Sequence, residues 1–266
     1  MRPSDIGRAE LHPRRPVCAG SDVTLTLTYV AGRCGIDDLG SIKIVWREMS
    51  DAGQLQWHDP QAPNYVSFRT TGQAVLSVRS DGHIRPWREG LRIKVTDGFL
   101  RPGDRIIVVF GDRRGGSVGW RMQTFCEKRF EFHVLADPFG TRVYERVKPS
   151  PGIRIIPGRP ARLVAVAPTA VAVGEPFKVR LVTKDVWGNP AGRVRRRKHR
   201  GFDRPGTYVL PFRDTKTGLS CETNPIVVRE RVTVRHWWAD FHAQSAETIG
   251  TGTVAVSYTH LTLPTN

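Results

Sequence analysis

The chain has 266 residues, 39% of them hydrophobic, which is enough for two domains with cores of their own. Its 41 Lys and Arg exceed its 25 Asp and Glu by enough to give a formal charge of +16, and its four cysteines form no CxxC pair, so neither a disulfide scaffold nor a zinc module is expected. No apolar run reaches the roughly eighteen residues of a membrane span, and residues 1–20 set Arg2, Arg8, Arg14 and Arg15 among prolines without the apolar centre of a signal peptide, so a cytoplasmic chain with reduced thiols and no membrane partner is expected.

In chain order, almost every segment alternates with period two between Gly, Pro, Asn or Asp, which is the pattern of half-buried strands. Strands are predicted at 23–29 (VTLTLTY), 41–47 (SIKIVWR), 65–69, 74–79, 91–96, 105–110 and 129–135. The turns Asp81-Gly82, Asp97-Gly98 and Pro102-Gly103 separate them without an intervening amphipathic helix, which argues for antiparallel sheets in a β-sandwich at 17–136. Residues 137–160 carry Pro138, Pro149, Pro151, Pro157 and Pro160 and are read as a Pro/Gly-rich, semi-rigid linker. Strands at 161–167, 176–184, 207–213 and 226–234, with a turn at Val186-Trp187-Gly188-Asn189-Pro190, make a second, small immunoglobulin-like β-domain at 161–235. That domain has few strands for a fold that wants about seven. Either it is minimal, or residues near 193–200 are missing through a deletion or frameshift. The fold class expected is all-β, two consecutive immunoglobulin-like sandwiches.

The distribution of charge matters more than its sum. Arg92, Lys94 and Arg105 alternate with apolar residues, as on the solvated face of a sheet. The dense run 193–200 (RVRRRKHR) has no interleaved aromatics to stack bases, so it reads as a solvated loop and nucleic acid is not the expected partner. Residues 111–119 (GDRRGGSVG) fit no phosphate-loop spacing and precede no helix; a flexible hairpin loop is the reading. Trp46, Trp57, Trp87 and Trp120 suit either a carbohydrate platform or, more commonly, the core. His12, His58, His83, His133 and His199 have no ligand partner at metal spacing.

One stretch differs in kind: residues 235–252 read RHWWADFHAQSAETIGTG. Alternation puts Asp240, His242 and Gln244 on one face of a strand, and at the C-terminal end of a first barrel strand that face would present carboxylate and imidazole to Zn, Mn or Fe. By spacing alone a D-x-H triplet is a weak signal.

HWWADFHAQSAETIGTG resembles the opening of the catalytic region in domain-of-unknown-function family 3604, whose members look like PHP-type metallohydrolases. DIGRAE (5–10), GIDDLGSIKIVWR (35–47), QTFCE (123–127), DVWGNP (185–190) and Asn224-Pro225-Ile226 resemble the region that precedes it, so the likeness spans about residues 5–253. It implies that Asp240 and His242 sit at the family's first metal motif and that residues 236–253 begin a metallohydrolase domain. Gln244 stands where PHP enzymes generally have a second histidine, which makes it the weakest of the three as a ligand. The resemblance also implies a divalent metal (Zn, Mn or Fe) in the full-length protein only, bound with the help of a missing C-terminal catalytic domain.

Residues 254–266 (VAVSYTHLTLPTN) change composition abruptly, without a charged residue, and resemble translated sequencing-adapter read-through. The expectation is an N-terminal accessory β-region of a PHP-like metal-dependent hydrolase, truncated and without turnover as it stands, with its substrate unnamed. The alternative is a non-enzymatic tandem sandwich that binds a polysaccharide or protein.

Overall fold

A computed structural model of the chain describes residues 3–234, 244–245 and 253–255. The described fold is all-β, and none of its helices is long and apolar enough to cross a membrane. The chain divides into two units between Ile156 and Pro157.

The first unit opens with β1 (Arg8–His12), β2 (Val17–Cys18), β3 (Asp22–Val23), β4 (Leu25–Val30), β5 (Ser41–Trp46), β6 (Val66–Thr70) and β7 (Ala74–Ser80). It continues with β8 (Glu89–Gly98), β9 (Arg105–Phe110), β10 (Trp120–Arg121), β11 (Glu127–Glu131), β12 (His133–Asp137), β13 (Glu145–Arg146) and β14 (Gly152–Ile156). A four-stranded sheet runs β1-β4-β9-β6 and a five-stranded sheet β13-β12-β5-β8-β7, with smaller sheets β11-β14-β2 and β10-β3. Period-two alternation fills the space between them: Leu25, Leu27 and Tyr29 from β4, Ile42 and Ile44 from β5, Leu91 and Ile93 from β8, Val108 and Phe110 from β9 are all buried. Trp46, Trp120, Phe110, Phe130 and Phe132 pack at one end with neighbouring ring centroids such as Trp46–Trp120 at 5.4 Å and Phe130–Phe132 at 5.2 Å. The one polar atom of Trp120 is satisfied, its Nε1 donating to the Gly53 carbonyl at 2.7 Å.

Three expectations are corrected. Residues 137–156 are not a linker. Asp137 closes β12 and accepts the backbone N–H groups of Thr141 (3.0 Å) and Arg142 (2.7 Å), Val147 is buried, and β14 lies between β11 and β2 with Ile153 and Ile155 in the core. Pro149 and Pro151 stand just ahead of β14, where they take no ladder donor away, so proline density marked the flanks of a strand and not its absence. The single strand expected at 129–135 is two, because a break at Phe132 sends β11 and β12 to different sheets.

The third correction concerns the basic run. The second unit comprises β15 (Arg162–Val166), β16 (Ala170–Ala172), β17 (Phe177–Lys184), β18 (Arg195–His199), β19 (Gly206–Tyr208), β20 (Pro211–Arg213), β21 (Ser220–Glu222) and β22 (Ile226–Arg229). Its sheets are β15-β17-β18, β16-β22-β19 and β20-β21, around Val171, Val179 and Ile226. The run 193–200 is therefore mostly strand, not loop: β18 pairs antiparallel with β17 from Leu181↔Arg195 to Phe177↔His199. It is held at one end by Arg195 on Asp214 (2.8 Å) and at the other by His199 stacked on Phe177 (centroids 4.7 Å). Its charge hid a strand because the exposed face of an edge strand is tolerant of cations.

Candidate functional site

The outer face of the five-stranded sheet carries an arrangement that alternation alone does not reveal. In the register of β5, β8 and β7, Lys43 lies opposite Arg92, and Arg92 opposite Arg79. Directly opposed residues of an antiparallel pair share a face about 5 Å apart, and like charges there are destabilising. Two of these cations are mostly withdrawn from solvent, Lys43 with 12% and Arg92 with 21% of its side chain exposed. One carboxylate, Asp81 just beyond β7, serves all three: Arg79 Nη2 at 3.1 Å, Lys43 Nζ at 3.4 Å and Arg92 Nε at 3.8 Å. Arg92 Nε is buried and has no acceptor at hydrogen-bond distance.

Two segments raise walls around this floor. After β7 the chain folds back over the sheet, bringing His83 to the rim and stacking Trp87 on His133 of β12 with ring centroids 3.3 Å apart. On the other side, the Asp137-capped turn holds Arg142 in the left-handed region (φ 66°) and delivers Tyr144. The Tyr144 hydroxyl is 2.7 Å from Ser41 Oγ, and Lys43 Nζ sits 4.7 Å from its ring centroid. Together they enclose an open cleft of about 460 Å³ into which four cations and a single carboxylate converge.

The surroundings bear on two histidines. Burial and the charge of Lys43 push His83 below its ordinary value, against the pull of Asp81. Burial, reinforced by Arg146, pushes His133 down to about 4, although Glu131 at 3.2 Å favours its charged form. Both stay neutral near pH 7, so neither adds positive charge to the cleft.

Asp240 and His242 lie outside the described residues, and Gln244 is described as an exposed residue. Among the described residues no group of three or more His, Cys, Asp or Glu side chains is placed to hold a metal ion. Trp46 and Trp120 are core residues, while Trp57 and Trp87 are half-buried. The loop 111–119 is anchored at its base by side-chain hydrogen bonds. Asp112, buried at its base, accepts from the Arg114 backbone (3.1 Å), the Arg114 guanidinium (2.6 Å) and Ser67 Oγ (2.5 Å), with Arg114 the main reason its carboxyl lies far below the usual range. At Gly111 (φ 65°) a side chain would run into the backbone of Trp120 and Val23.

Lys43, Arg79, Asp81 and Arg142 were missed as site residues, and Arg92 was read as solvated. For Lys43, Arg79 and Arg92 the signal was basic residues at alternating positions, which is shared by any solvated sheet face; strand register and the adjoining loops are what separate the two. No family model and no curated protein matches the chain.

Proposed function

We propose that this chain is the β-rich accessory region of a PHP-like metal-dependent hydrolase, its two sandwich units preceding a catalytic domain that opens at residues 236–253. The observation that carries this reading is the motif HWWADFHAQSAETIGTG directly after two all-β units. Carboxylate and imidazole are a donor set suited to Zn, Mn or Fe, so Asp240 and His242 would contribute to the metal site, with the remaining ligands supplied by the catalytic domain. A metal so bound makes its water nucleophilic near neutral pH. The sandwich units would position that domain or shape access to it.

Two measurements test the reading. Sequencing the source DNA through the codons for 247–266 and about a kilobase beyond is expected to show the frame continuing into histidine and carboxylate motifs; a genuine stop after Asn266 would favour the tandem binding module instead. Purified chain is expected to give no turnover of a generic phosphoester with Zn, Mn or Fe. Metal-dependent turnover abolished by His242→Ala would show that the chain is itself catalytic.

A further inference from the structure

The cleft on the five-stranded sheet makes a statement of its own, resting on residues 41–144 and not on the hydrolase reading. We propose that it binds a multiply charged tetrahedral oxyanion, of the phosphate-ester class. Four cations, Lys43, Arg79, Arg92 and Arg142, face one carboxylate, Asp81, so the cleft retains an excess of three positive charges. A ligand carboxylate would cancel one of these; a phosphate monoester or diphosphate cancels two or more. The donors suit the same class. Ammonium and guanidinium groups borne by side chains whose Cβ atoms lie about 5 Å apart address several oxygens at once, and guanidinium groups match phosphate edges.

Three features distinguish the arrangement from an ordinary solvated face. Three of the cations, Lys43, Arg92 and Arg79, are opposed across strands, where each like-charge pair works against the sheet. Lys43 and Arg92 are largely covered, so water screens them poorly. Arg92 Nε, at the floor, is buried with no hydrogen-bond acceptor of its own. A face serving the fold alone would gain by exchanging one of these cations for threonine; an entering oxyanion instead offsets the repulsion among them.

The test is calorimetric titration of the full chain with inorganic phosphate, pyrophosphate and glucuronate at low salt. One saturable site is expected, with pyrophosphate tighter than phosphate and glucuronate weakest. Arg79→Gln removes an exposed cation whose loss leaves the core untouched, and should weaken pyrophosphate about tenfold. Asp81→Asn should tighten it, because it removes the one opposing charge. Arg196→Gln, on the second unit, should leave it unchanged. The absence of saturable pyrophosphate binding by folded wild-type chain would overturn the proposal. So would equal weakening by Arg79→Gln and Arg196→Gln, which would mean diffuse attraction to net charge, and so would glucuronate binding more tightly than pyrophosphate, which would make the cleft a carboxylate site.

Discussion

Cations oppose one another across strands in both units, and two such rows, one in each unit, have opposite environments. In the first unit, Lys43, Arg92 and Arg79 cross β5, β8 and β7 under the cover of two loops, tied together by Asp81. In the second, Lys178 lies opposite Lys198 and Arg180 opposite Arg196 across β17 and β18, all four exposed, and they make no ion pair with a described residue. The second row is what the sequence pattern suggests, a face whose charges water and salt can screen. The first has the same pattern and a different physics, since covering the cations weakens screening and makes each missing counter-charge more costly. Basic residues at alternate positions therefore identify a face; the loops over that face decide whether it is a surface or a site.

The sharpest way to break this comparison is Asp81→Ala. It strands the largely buried side chains of Lys43 and Arg92 without a carboxylate and should cost about 3 kcal/mol, read as a lower denaturant midpoint at unchanged slope. A loss near zero would mean that the first row is as solvated as the second.

Acidification should come next. The His133 imidazole titrates at about 4 in the folded chain, below the ordinary 6.5. The unfolded chain thus takes up its proton first as pH falls. The stability His133 contributes is complete above about pH 6.5 and declines between there and pH 4, by roughly 3 kcal/mol over that window. Urea unfolding at pH 7 and pH 4.5 measures the decline, and His133→Gln should flatten it. Because Trp87 stacks on His133, Trp87 fluorescence in the folded chain should change around pH 4, where the folded imidazole takes up its proton.

The smallest effect belongs to the exposed row. Arg196→Gln should raise stability by about 0.3 kcal/mol at low ionic strength and by nothing measurable near 1 M salt, where exposed charges are screened. A gain that survives high salt would show that the second row is not solvated.

The all-β fold was legible because its core strands alternate cleanly, as in LTLTYV of β4 and RIIVVF of β9. Other strands escaped for separate reasons. β14 was masked by flanking prolines, β18 by its charge, and β1 (RAELH) by carrying one buried residue, Leu11. The cleft was illegible for a different reason: Lys43, Arg79 and Arg92 are 49 positions apart at the extremes, and only the register of three strands makes them neighbours. Asp240 and His242, by contrast, were legible only through resemblance, and they lie outside the described residues.

The parallel pairing of β14 with β2 joins Ile155 to Val17 and Ile156 to Cys18, so the last strand of the first unit is sewn beside one of its first. Such a seam fixes where the chain can be cut. A protease opening the backbone near Arg159 would leave the first unit whole, whereas a gene fusion or recombination event that ended the unit at 136 would discard Val147, Ile153 and Ile155 from its interior. A boundary that keeps the core of this half intact therefore falls after residue 156, with the proline-flanked strand inside it.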